Sequence, residues 1–192
     1  MTVVVSDPRR ELVALLQLAY SGEQAAALAY RGHWRSVRGE ERERIRVIEE
    51  EEWHHRRQVG VMLHELGERA DRGRERRTRW IGTVLGALCH VSGWLAPMYG
   101  AGQLESENIR EYETAARLAH ACGRHEWIDC LLTMAEIEHD HETYFREQVR
   151  THALGRSLPL WKTPPPREAI RASFSEETGW RPASEEDSPD AG

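Results

Sequence analysis

An all-α fold built on four long helices is what this chain predicts, and three observations point to it. The composition is rich in Ala, Leu, Glu and Arg, 40% hydrophobic and 30% charged, which favours helix over strand. Apolar residues recur at three-and-four spacing in four segments. Residues that start and stop helices flank several of those segments. The 192 residues suffice for one domain with a substantial core. Four such helices make a four-helix bundle over residues 1–153, followed by a separate tail over 154–192.

The first helix is expected over residues 8–36, where Ser6, Asp7 and Pro8 supply a capping side chain and a first-turn proline. Leu12, Leu16, Ala19, Ala26 and Tyr30 form its apolar row. The second, over 40–68, carries Ile45, Ile48, Val59, Met62 and Leu66. Residues 80–104, "WIGTVLGALCHVSGWLAPMYGAGQL", then lack any Asp, Glu, Lys or Arg and follow the basic run "RADRGRERRTR". This approaches the ~20 residues of a membrane span. Gly82, Gly86, Gly93 and Pro97 interrupt it, however, and His90 would be costly in lipid. The expectation is an apolar helical hairpin or crossover between the second and third helices, buried or on a membrane surface at one end of the bundle. The third helix runs over 104–122 (Ile109, Tyr112, Ala116, Ala119) and stops at Gly123. The fourth covers 125–152, with Trp127, Leu131, Met134, Phe145 and Val149 in its row. The tail, with "KTPPPRE" and "PASEEDSPDAG", is expected to be mostly irregular and frayed at its end.

The formal net charge of -6 argues against a dedicated nucleic-acid binder. Cys89, Cys122 and Cys130 are odd in number and lack CxxC spacing, so they read as ordinary buried thiols of a reducing compartment. The N-terminus shows neither a basic run nor a long apolar core, so no signal peptide is expected. A cytoplasmic location follows, with peripheral contact on the cytoplasmic face of a membrane through residues 69–104 as the variant the basic run suggests.

Polar residues interrupt every apolar row. On the first helix Glu23 falls between Ala19 and Ala26; on the second Glu52 and His55 fall between Ile48 and Val59. Glu105 shares the face of Ile109 and Tyr112, and Glu138 and His141 fall between Met134 and Phe145. A buried carboxylate without a partner costs several kcal/mol, so the six should share one. Their order is Glu, Glu-x-x-His, Glu, Glu-x-x-His. The i, i+3 spacing puts Glu and His on one helix face, and two such units facing each other form the ligand set of di-iron and di-manganese bundles.

A lone Glu-x-x-His is weak in a chain this rich in Glu; the duplication is what carries the reading. Tyr30 follows Glu23 by seven residues, and Tyr112 follows Glu105 by the same interval. The alternative is a solvated acidic helix with satisfied core histidines. Glu51 with His54 has the same spacing, but its face continues into Gln58 and Glu65, whereas that of Glu52 and His55 continues into apolar residues. Glu136 with His139 loses to Glu138 with His141 on the same ground. Glu107 competes with Glu105. Glu49 and Glu50 are read as solvated, and Tyr30 and Tyr112 read first as core aromatics beside the site, second as redox residues.

At these residues the chain resembles the ferritin-like di-iron superfamily, and more narrowly the demethoxyubiquinone hydroxylases of ubiquinone biosynthesis. The segments that carry the likeness are "SGEQAAALAYRGHW", "EEWHHRRQVGVML", the Gly-rich apolar stretch, "LESENIREY" and "AEIEHDHETYF", within residues 12–150. The resemblance implies two iron ions, with manganese as the alternative, held by Glu23, Glu52, His55, Glu105, Glu138 and His141. It implies monooxygenase chemistry: O2 activation and hydroxylation of a small quinol-type or other lipophilic aromatic substrate, with electrons from a separate donor and room for a homo-oligomer. Two positions depart from that family: Glu111 stands where it has His before the third-helix Tyr, and His33 where it has Gln. Glu111, Tyr30 and Tyr112 are the candidate catalytic residues around the metal. The stretch around Gly123 is similar to rubrerythrins, for which peroxidase or ferroxidase activity is implied. A metal-free helical interaction or membrane-surface module is the remaining alternative.

Overall fold

The computed structural model describes residues 7–181, and among them all regular structure is helical. The helices are α1 (Pro8–Ser36), α2 (Gly39–Glu65), α3 (Arg72–Leu88), α4 (Leu95–Ala121), α5 (Ile128–Thr151) and α6 (Arg167–Thr178). Single 3-10 turns occur at His125–Trp127 and Gly155–Ser157. The expected α1 start is present: Asp7 accepts the Arg9 N–H at 3.1 Å, and Pro8 takes the first helical position, where its missing N–H costs nothing. Gly123, at φ 71°, ends α4, and the Arg124 N–H closes on the Ala119 carbonyl at 2.9 Å.

The four long helices share two apolar cores. Leu12 and Leu16 of α1, Val59 and Met62 of α2, Ile109 and Ala116 of α4, and Leu131 and Met134 of α5 lie in the first. The opposite halves of the same helices supply the second, with Ala26, Tyr30, Ile45, Ile48, Met98, Phe145 and Val149. So α1 and α5 run one way, α2 and α4 the other. Because α2 and α4 are parallel, the chain must travel back along the molecule between them. Helix α3 does this, lying along α1.

Contact between α3 and α1 is backbone to backbone. A Cβ at Gly82 would lie 2.4 Å from the Ala25 carbonyl oxygen, and one at Gly86 would lie 2.7 Å from that of Leu28. Gly82→Val is therefore expected to push α3 off α1 and cost about 1–3 kcal/mol in denaturant unfolding. Gly100→Ala, where nothing lies within 4 Å, should be neutral or slightly stabilising.

Three expectations change. The third long helix begins at Leu95, not near 104, because Pro97 falls in its first turn and is tolerated there. The charge-free stretch thus divides into the end of α3, a turn over 89–94 and the start of α4, and α3 flanks α1 along its length instead of sitting at one end. Most of the basic run is the start of α3, where the Asp71 carboxylate accepts the Gly73 and Arg74 N–H groups at 2.7 and 3.1 Å. The tail, expected to be mostly irregular, contains α6. Ile170 and Phe174, one turn apart, bury themselves in the first core, while Arg171 binds Glu136, Asp129 and Thr133. The frayed end expected beyond 181 lies outside the described residues. Among the described residues no helix is long and apolar enough to cross a membrane. The three cysteines are free thiols, but half-buried where the sequence predicts buried ones.

Candidate metal centre

The polar cluster lies between the two cores, where each long helix passes from one to the other. Glu52, His55, Glu105, Glu138 and His141 have no exposed surface, and Glu23 has 4%. All six sequence-predicted ligands come together in two overlapping groups. Glu23, Glu52, His55 and Glu138 each bring a donor atom within 4.8 Å of the others; so do Glu52, Glu105, Glu138 and His141. Glu52 and Glu138 belong to both. Each group therefore holds one private Glu, one private His and two shared carboxylates. Either group could hold a metal ion.

Helix rotation decides between neighbouring candidates. Glu105 is buried and Glu107 exposed; Glu52 and His55 are buried while His54 is exposed. Glu136 is buried but engaged by Arg171, and His139 faces the Pro165 carbonyl at 3.0 Å. Glu49, read as solvated, is buried instead. It accepts from Arg31 at 2.7 Å, Trp34 at 2.6 Å and Trp53 at 3.2 Å, a pocket built largely by α1.

The surroundings orient the donors. The Tyr30 hydroxyl donates to Glu105 and the Tyr112 hydroxyl to Glu23. Burial and the carboxylates push both phenols well above their usual range, so they stay protonated donors. Asn108 donates to the second Glu105 oxygen at 3.1 Å. His55 Nδ1 faces Glu138 at 3.0 Å. His141 Nδ1 lies 3.4 Å from both Glu52 and Glu138, and its Nε2 meets Glu51 at 2.8 Å.

Glu51 lies on a half-polar helix face, outside the predicted ligand set, yet it meets His141 Nε2. The far nitrogen of a metal-binding histidine commonly meets a carboxylate, and Glu51, at the margin of the inward face, supplies one. Burial alone would raise the Glu51 carboxyl, but His141 and Arg44 bring it below its usual value. Glu51→Gln is expected to weaken metal binding by about ten- to a hundredfold while leaving the donor count intact, measured by competition with a chelator.

Without a metal the cluster is electrostatically expensive. Burial raises Glu23, and burial with the charges of Glu23, Glu138 and Glu105 raises Glu52 well above the ordinary carboxyl value. Glu105 is raised well above it too, by burial and then by Glu138. Burial acts the same way on Glu138, but Glu105, His141 and His55 around it hold its carboxyl well below the usual range. Burial would lower His141, yet Glu138 and Glu51 bring it up to about 9.

The donor set fits metal ions. Glu23 Oε2, both Glu52 oxygens, Glu138 Oε2 and His141 Nδ1 are buried with no hydrogen-bond partner. Buried polar atoms are almost always satisfied, so this concentration of orphans marks a place for cations. Four carboxylates would also balance two divalent charges and leave a neutral interior. Compared with models of known families, with curated proteins and with solved structures, the chain gives no match.

Proposed function

We propose that the cluster holds two iron ions in a ferritin-like bundle and that the protein is a monooxygenase acting on a quinol-type or other lipophilic aromatic ring. The observation that carries this is the pair of four-residue groups sharing Glu52 and Glu138. Imidazole and carboxylate donors suit iron, with manganese as the competitor. Held by these residues, two iron ions would supply redox chemistry for O2 reduction, in which one oxygen atom goes to the ring and the other leaves as water, with two electrons from a separate donor and two protons.

The chain's own residues do the rest. Glu52 and Glu138 tie the two positions together, and Glu23 with His55, and Glu105 with His141, complete one position each. Tyr30 and Tyr112 hold the private carboxylates from behind. Glu111 is half-buried on α4 next to Tyr112, and burial and the Glu23 and Glu107 charges raise its carboxyl. We assign it the role of carrying protons between solvent and the Glu23 side.

A cavity of about 430 Å3 between α1, the end of α3 and the start of α4 supports an oxygenase over an iron-storage role. Ala26, Ala29, Leu85 and Leu104 line it, and Tyr30, bonded to Glu105, stands at its inner side. Its apolar lining suits an apolar ring, and it opens to the surface where Leu85, Leu88 and Leu104 are exposed. Trp80, Leu85, Leu88 and Val91 are exposed nearby on α3 and the following turn, beside the arginines of α3, a surface suited to peripheral contact with anionic lipid.

Iron-loaded protein mixed with an alkylated quinol and oxygen-18-labelled O2 should give a ring hydroxylated with labelled oxygen. Consumption of peroxide or oxidation of excess ferrous iron, with no organic product, would replace this reading with the peroxidase or ferroxidase one.

A further inference from the structure

His33 lies one turn beyond Tyr30 on α1 and belongs to neither ligand group. It is 2% exposed, and its Nε2 is buried with no hydrogen-bond partner. Its ring stacks on Tyr30 at 6.5 Å and on Phe145 at 6.1 Å between centroids, so packing fixes its orientation. Two cavities meet at this residue. One is the apolar chamber of about 430 Å3; the other, about 610 Å3, carries Ser36, Arg38, Glu40 and Glu41 on its walls.

Of the other polar side chains lining the chamber, Tyr30 and Cys89 are engaged and Ser92 is exposed. The Tyr30 hydroxyl is committed to Glu105, and the Cys89 thiol donates to the Leu85 carbonyl at 3.2 Å. Burial holds His33 down at about 4, so near neutral pH its imidazole is uncharged, with one nitrogen donating and the other accepting. An unsatisfied buried nitrogen is costly, and a ligand oxygen that meets it recovers that cost.

We propose that His33 is a positioning residue of the substrate site: its free ring nitrogen hydrogen-bonds a hydroxyl or carbonyl oxygen on the ring whose apolar body fills the chamber. The inference rests on reading that chamber as the substrate's place. Its consequence is selectivity. A ring bearing an oxygen substituent is held with that oxygen toward α1 and its apolar remainder along α3 and α4, whereas a pure hydrocarbon of the same shape is not oriented. The orienting bond is neutral to neutral, so its effect is the size of one ordinary hydrogen bond.

The test uses the full chain kept metal-free with chelator, so that it does not depend on turnover. The probes are 4-pentylphenol and pentylbenzene, titrated by calorimetry into wild type, His33→Phe and His33→Gln. Phe preserves the stacking on Tyr30 and Phe145, and Gln restores a donor and an acceptor. The expected result is a roughly tenfold loss of pentylphenol affinity in His33→Phe, unchanged pentylbenzene affinity, and recovery of most of the loss in His33→Gln. Ala29→Trp, which fills the chamber, should abolish binding of both probes. Equal weakening of both probes by His33→Phe would mean that the ring only packs, and would overturn the proposal while leaving the chamber's role intact. Unchanged pentylphenol affinity in His33→Phe would overturn it as well. Failure of pentylphenol to bind wild type would overturn the proposal, and failure of both probes would overturn the substrate reading of the chamber as well.

Discussion

Glu138→Ala protein purified from iron-replete cells and desalted should carry almost no iron, while Glu23→Ala protein should keep about half the wild-type content. The difference follows from sharing. Glu138 contributes to both donor groups, so its loss leaves each position one donor short at once. It also removes the carboxylate that faces His55 Nδ1 at 3.0 Å and His141 Nδ1 at 3.4 Å, freeing both imidazoles to turn away. Glu23 serves only the group that includes His55. The order of damage is therefore Glu52 and Glu138 above Glu23 and Glu105, with Glu107→Ala harmless because Glu107 is exposed. Elemental analysis of the five variants reads the order directly. A Glu107 variant as depleted as the Glu105 variant would show that α4 presents a different face.

Stability should cross over with metal. Unfolded in the presence of chelator, Glu52→Leu should be more stable than wild type by roughly 1–4 kcal/mol. With excess ferrous iron under anaerobic conditions, wild type should be the more stable. Glu52 is fully buried, neither of its oxygens has a hydrogen-bond partner, and three neighbouring carboxylates oppose its charge. Leu removes that cost at similar volume. Ions that bind only the folded wild type stabilise it by mass action, about 2.7 kcal/mol for each site at a hundred times its Kd. Parallel urea titrations with chelator and with iron measure both halves. If Glu52→Leu is less stable under both conditions, the cluster is a structural polar network and not a metal centre.

The six inward residues were legible because a long helix leaves little freedom: 3.6 residues per turn determines which Glu joins an apolar row. That is why Glu52 could be separated from Glu51, and Glu138 from Glu136. Glu105 and Glu107 could not be separated, since the helix there begins within the charge-free stretch and offers few polar positions to mark its outer face. What the pattern missed depends on other elements. Glu49 is buried because Arg31, Trp34 and Trp53 close over it, and a run of four acids gives no hint of that. Glu51 finds His141 across a helix pair, a contact no spacing within α2 encodes. Helix α6 buries only two apolar side chains, too few to stand out in a polar, proline-rich segment, and its ion pairs through Arg167, Arg171 and Glu177 leave no periodic signal. The apolar character of residues 80–104 was evident, but its use as a glycine-mediated return along α1 required knowing that α2 and α4 run parallel.

The most direct test is an anaerobic titration of metal-free protein with ferrous iron, followed by absorbance on admission of O2. A break at about two equivalents per chain, and a new absorption band once O2 enters, is the predicted result. A break at one equivalent, or no binding at all, would contradict the paired centre built on Glu52 and Glu138.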